Sequence, residues 1–82
     1  MAKINLSSWS LPKIFKLIQK KAALTDIDML KTFNCGIGMV LIIDKKDLNK
    51  LISVTTMLKY KPKIIGCIAK KNSNKAIVYE KN

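Results

Sequence analysis

The sequence predicts a small α/β (α+β) fold: two layers, with a mixed sheet of three or four strands and two main helices packed on it. Three observations predict it. Residues 11–23 carry apolar side chains at helical spacing, the run TFNCGIGMVLII from Thr32 to Ile43 ends in unbroken apolar residues, and two β-branched segments follow at 64–69 and 76–79. Helix-period and strand-period segments in one short chain bury their apolar faces against each other, and a sheet covered by helices achieves that. A chain of 82 residues makes one domain, residues 1–82, burying roughly 60–65% of its unfolded surface. With 49% apolar residues, 3 glycines and 2 prolines, the composition is that of a globular chain.

The first element is a short strand at Lys3–Leu6. Ser10 then offers a helix cap, and Pro12 falls in a first turn where its missing N–H is harmless. From Pro12 to Ala23 the stripe Leu11, Ile14, Phe15, Leu17, Ile18 and Ala22 opposes Lys13, Lys16, Lys20 and Lys21, the pattern of an amphipathic helix. Thr25 and Asp28 form a capping arrangement with Asp in place of the usual Glu, which starts a helical turn over Asp26–Lys31. Gly38–Ile43 is apolar without alternation, as in a strand covered on both faces. Asp44 caps a second helix over Lys45–Leu58, with Leu48, Leu51, Ile52 and Leu58 as its buried stripe. Lys59–Lys63 is a loop broken by Pro62. Ile64–Ala69 and Ala76–Tyr79 are strands joined by Lys71-Asn72-Ser73-Asn74 as a hairpin. The expected core is Phe15, Ile18, Val40, Leu41, Ile42, Leu48, Leu51, Ile52, Ile65 and Ile68.

A net charge of +11 invites a nucleic-acid reading, because lysines neutralise phosphates and release counterions. All sixteen basic residues are Lys, however, and base reading and stacking favour the planar guanidinium of Arg. With abundant Ile and Asn, the Lys excess matches the codon bias of an AT-rich genome, and a solvated basic surface is the preferred reading. Cys35 and Cys67 form neither a CxxC pair nor a metal-ligand spacing, and the chain has no His. That argues against a metal site and for reduced thiols. No run of about 18 apolar residues occurs, and the first ten residues lack a signal-peptide pattern. The expected location is the cytoplasm, with no membrane association.

The pair Gly36 and Gly38 precedes a strand, whereas phosphate-binding glycines stand between a strand and a helix. It therefore serves a turn with positive φ or a close backbone approach. Cys35 without a partner base is a buried or half-buried neutral thiol, not a nucleophile. Asn34 either contacts ligand or caps the turn with its amide. Trp9 and Phe15 are packing aromatics.

The run from Asp28 to Val40, DMLKTFNCGIGMV, resembles the EM(Y/F)RTFN(C/M)G(V/I)GM segment of the phosphoribosylformylglycinamidine cyclo-ligase (AIR synthetase) family. Upstream, PKIFKLIQ at Pro12–Gln19 is similar to that family's P.IF..IQ helix, and Ile65-Gly66 followed by a strand resembles its C-terminal end. The resemblance covers residues 9–79 and implies the last part of the enzyme's C-terminal domain. Two departures are Lys31, where the family has Arg, and the junction Ala22-Ala23-Leu24, which lacks the expected glycine.

The family's reaction, as the resemblance implies it, closes the imidazole ring of aminoimidazole ribonucleotide. ATP with Mg²⁺ activates the formyl oxygen of formylglycinamidine ribonucleotide, an amine nitrogen attacks that carbon, and phosphate leaves with the oxygen. The implied partner is the missing N-terminal domain, encoded on the same or a separate chain, which builds the homodimer and holds much of the nucleotide site. By the same resemblance Thr32, Asn34, Gly36 and Gly38 line the substrate or nucleotide cleft. No catalytic or metal-binding residue and no cofactor are expected for this chain alone. Met1 close to the start of the matching segment fits a split reading frame or a truncated piece. Competing readings are a non-catalytic remnant that binds a nucleotide or a protein, and a small basic nucleic-acid-binding domain.

Overall fold

The computed structural model describes residues 1–71 and 74–81. In it the chain divides into two compact units, one of Met1–Trp9 with Ile43–Asn82 and one of Ser10–Ile42. Its elements are three helices and a small open mixed sheet of three strands, the predicted α+β class.

The first unit is organised by β1 (Ala2–Asn5), which is the middle strand. On one side it pairs antiparallel with β2 (Gly66–Ile68), placing Ala2 opposite Ile68 and Ile4 opposite Gly66. On the other it runs parallel to β3 (Ile77–Glu80), with Ala2 opposite Ile77 and Asn5 opposite Glu80. The ladder is extended at one end by paired bonds between Met1 and Ala69, in which the Ala69 N–H donates to Met1 O at 2.8 Å and the Met1 nitrogen to Ala69 O at 3.0 Å. At the other end the Leu6 N–H reaches Glu80 O at 2.7 Å. The hairpin expected from 64–69 and 76–79 is therefore corrected: both segments are strands, but β1 lies between them. Each pairs along one edge with β1, so a strand distant in sequence satisfies both at once. Asn72 and Ser73 of the expected turn lie outside the described residues.

Gly66 has a specific reason to be glycine. A Cβ at this position would run into the carbonyl oxygen of Lys3 on the neighbouring strand, so only a bare backbone permits β1 and β2 to approach this closely.

The second helix of the sequence reading is divided. A 3₁₀ turn covers Lys45–Asp47, and α3 follows over Leu48–Met57. Asp44 stands at the N-cap position of the 3₁₀ turn but its side chain makes no capping bond. Leu48 and Leu51 are half-buried, while Ile52 and Leu58 of the expected stripe are exposed. Thr55 turns its hydroxyl back to donate to Leu51 O at 2.8 Å. Such bonding satisfies the hydroxyl within the helix itself.

The second unit holds α1 (Lys13–Ala22) and α2 (Asp26–Thr32). Pro12 is the N-cap of α1 and no side chain caps it, so the expected Ser10 cap is not formed. At its other end Ala23 adopts the left-handed conformation, φ 53° and ψ 46°, and its N–H bonds to Gln19 O and Lys20 O. A glycine normally fills this position because it has no Cβ to crowd the carbonyl. The junction noted above for lacking glycine thus keeps the glycine-type geometry.

Full burial is confined to Met29 and Cys35, 2% and 1% exposed, among the described residues. Of the expected core, Phe15, Ile18, Leu48, Leu51 and Ile65 are half-buried, and Val40, Leu41, Ile42, Ile52 and Ile68 are exposed. The strand expected at Gly38–Ile43 is not formed. A strand forms by ladder bonds to a neighbour, and among the described residues none is laid beside this run.

Candidate functional site

The residues singled out by the sequence lie in the second unit, where α2 ends and the chain turns. Thr25 fixes the start of α2 through a complete capping box: the Asp28 N–H donates to Thr25 Oγ1 at 3.2 Å, and the Thr25 N–H donates to Asp28 Oδ2 at 3.2 Å. The Thr25 hydroxyl adds a 2.8 Å bond to the same carboxylate oxygen. That hydroxyl, then the Thr25 N–H, holds the Asp28 carboxyl below its ordinary pKa, with a smaller contribution from Lys31. Gln19 of α1 donates to Asp26 Oδ1 at 2.8 Å and so ties the two helices across their connection.

After α2, Phe33 is extended and the chain reverses at Asn34–Ile37. The Ile37 N–H donates to Asn34 O at 3.0 Å, closing the turn. Both central residues have positive φ, 53° at Cys35 and 94° at Gly36, the pattern of a type I′ turn. Asn34 reinforces it, its Oδ1 accepting the Gly36 N–H at 2.9 Å. The amide of Asn34 therefore caps the turn, one of the two roles the sequence left open.

Packing adds a second constraint on Gly36. A Cβ there would stand 2.7 Å from Pro12 Cγ and 2.8 Å from Pro12 Cδ. Gly38 differs, with nothing within 4 Å of a Cβ built on it and no positive φ. The expectation for the glycine pair holds for Gly36 and is corrected for Gly38.

Cys35 is buried, and its thiol points to the Phe33 carbonyl oxygen at 3.7 Å. Burial, and then the negative charge of Asp26, raises its pKa, so the thiol is neutral near pH 7 and suited to packing. Of the four proposed cleft residues, Thr32 ends α2, Asn34 and Gly36 belong to the turn, and Gly38 leaves it; all four are exposed. The sequence reading missed the left-handed φ of Cys35. It also missed the partnership of Pro12 with Gly36 and that of Phe15 with Phe33. The signal available for the last was an aromatic on the apolar stripe of the first helix and another at the end of the second.

No group of three or more His, Cys, Asp or Glu side chains converges among the described residues. These residues do not fit the metal of a Mg²⁺–nucleotide. No helix among them is long and apolar enough to cross a membrane. The first unit carries an open depression lined by Ile43, Asp47, Lys50, Leu51 and Val54, a largely apolar surface formed by α3 and the residues that lead into it.

A phosphoribosylformylglycinamidine cyclo-ligase of Syntrophus aciditrophicus (strain SB) is 37% identical over 75 residues, covering 92% of this chain and 22% of its own length. The chain is a partial homologue of the phosphoribosylformylglycinamidine cyclo-ligases. The cyclo-ligase of Thermoanaerobacter sp. (strain X514) is 43% identical over 65 residues, 79% of this chain and 19% of its own. That of Citrifermentans bemidjiense is 36% identical over 77 residues, 94% and 22% respectively. The chain thus spans about a fifth of the length of the cyclo-ligases it matches. No family model matches the chain, and no solved structure does either.

Proposed function

We propose that the chain is the C-terminal part of an ATP-dependent ligase of purine biosynthesis, which closes the imidazole ring of aminoimidazole ribonucleotide from formylglycinamidine ribonucleotide. One observation carries the reading: similarity to cyclo-ligases extends over 92% of this chain but only 22% of the relative. The chain contributes a wall of the cleft, formed by Thr32, Asn34, Gly36 and Gly38. Its turn presents exposed backbone to a ligand, and a turn held by a capping amide and two positive-φ residues is a preorganised one. ATP and Mg²⁺ belong to the N-terminal part of the enzyme, supplied on the same or another chain and forming the homodimer. Chain and partner work in the cytoplasm. The 82 residues alone constitute one folded domain without ligase activity.

An assay with formylglycinamidine ribonucleotide, ATP and Mg²⁺ tests this reading, using the chain alone and co-expressed with the N-terminal four-fifths of the Thermoanaerobacter relative. Turnover is expected only when both are present. Turnover by the chain alone, or none with both, overturns the proposal.

A further inference from the structure

In the first unit, α3 gives way to the loop Lys59-Tyr60-Lys61-Pro62-Lys63 through a Schellman motif. The Lys59 N–H donates to Thr56 O at 3.0 Å and the Tyr60 N–H reaches back to Thr55 O at 2.9 Å. Lys59 takes the left-handed position of that motif, with φ 66°, where glycine is usual. The start of the loop is thereby tied to the helix, Pro62 fixes its own φ and restricts Lys61 before it, and beyond the loop Ile65 O accepts the Asn5 N–H at 2.7 Å. All five residues are exposed, Tyr60 by 67%. An aromatic ring is thus held in solvent between lysines on a loop anchored at both ends.

Charge is unevenly distributed around this loop. Between Asp47 and Glu80 the sequence has seven lysines and no Asp or Glu. The codon bias of an AT-rich genome accounts for Lys in place of Arg, but not for missing carboxylates, whose codons accept A and T as readily. A basic stretch without acids attracts phosphates, and an exposed aromatic offers a face on which an unstacked base can lie. Single-stranded nucleic acid presents both groups together. An acidic peptide would engage the lysines and leave Tyr60 without a partner. Arg is not needed, because phosphate contact and stacking tolerate any sequence. We propose that the Lys59–Lys63 loop binds single-stranded nucleic acid without sequence preference, its lysines on the phosphates and Tyr60 stacked on a base. This site is independent of the function proposed above.

Fluorescence anisotropy of the full 82-residue chain with labelled oligouridylate and oligothymidylate tests the site. Both probes are expected to bind with similar affinity, since neither contact reads the 2′-hydroxyl, and the logarithm of affinity should fall with that of salt at a slope of about −0.7 for each phosphate contacted. Tyr60→Ser should weaken binding at least about fivefold with an unchanged melting temperature. Lys59→Gly should flatten the salt slope by about 0.7 while raising the melting temperature, because glycine suits the left-handed position; lost binding then cannot come from unfolding. Lys61→Gln with Lys63→Gln should weaken binding at least about fivefold more than Lys13→Gln with Lys16→Gln on α1, which removes the same charge. Equal losses from the two pairs, or no effect of Tyr60→Ser, reduce the attraction to net charge and overturn the site. Absence of binding at low salt, binding of only one probe, or equal affinity for polyglutamate or phosphatidylserine vesicles also overturns it.

Discussion

The rings of Phe15 and Phe33 lie 6.0 Å apart between centroids, with their planes inclined by 58°. One ring comes from α1 and the other from the residue that leaves α2, so this contact joins the first helix to the turn that follows the second. Tilted pairs at this distance place a ring edge toward a ring face and are worth about 0.5–1.5 kcal/mol beyond area burial. A double-mutant cycle of Phe15→Leu and Phe33→Leu in thermal or urea unfolding should return a coupling energy of that size. A value near zero would mean that the rings pack independently.

Gly36→Ala should destabilise the chain, because its backbone has φ 94° and the added methyl meets Pro12. The expected loss is about 1–3 kcal/mol. Gly38→Ala is the matched control, with open space and no positive φ, and should be neutral or stabilise by up to about 1 kcal/mol. Equal losses at the two positions would contradict the turn geometry.

Ala23→Gly should stabilise by about 1 kcal/mol, since the left-handed conformation observed there penalises a Cβ. A higher melting temperature with unchanged far-ultraviolet dichroism is the expected readout. A lower one would show that α1 ends differently.

Acid should loosen the start of α2. The Asp28 pKa is lowered in the folded chain, so its contribution is complete above the unfolded carboxylate value of about 3.9 and is lost as pH falls through the lower folded value. Thr25→Ala should remove that acid-dependent part of the melting curve, while costing about 1 kcal/mol at pH 7 through loss of the cap. An identical acid profile in the variant would refute the assignment.

The two thiols should differ in reactivity. Cys67 is exposed on β2, whereas Cys35 is buried with a raised pKa. Alkylation at pH 8, followed by mass spectrometry, should modify Cys67 at least about tenfold faster. Comparable rates would show that the turn around Cys35 opens readily.

Local signals in the sequence translated well into local structure. The helical stripe after Pro12 became α1, and Thr25 with Asp28 became a capping box, because both depend on residues three or four apart. Asn34 and Gly36 were legible as turn residues for the same reason. Strand pairing was less legible. Nothing near Cys67 or Val78 in sequence says that Lys3 will separate them, and register across such distances depends on which free edge is filled. The strand expected over Gly38–Ile43 is not formed, because pattern alone does not reveal whether a neighbour is present to pair with it.

The position of β1 in the middle of its sheet governs the order in which this unit can be completed. Ala2 is paired with Ile77, 75 positions later in the chain. At a synthesis rate of about 5–20 residues per second, β1 emerges from the ribosome roughly 4–15 s before its parallel partner does. During that interval the edge it shares with β3 is bare, and the helices of the intervening segment can already form, since helix closure takes microseconds or less. The first strand of this unit is consequently its last to be satisfied, and a chaperone or an unwanted neighbour has seconds in which to reach it first.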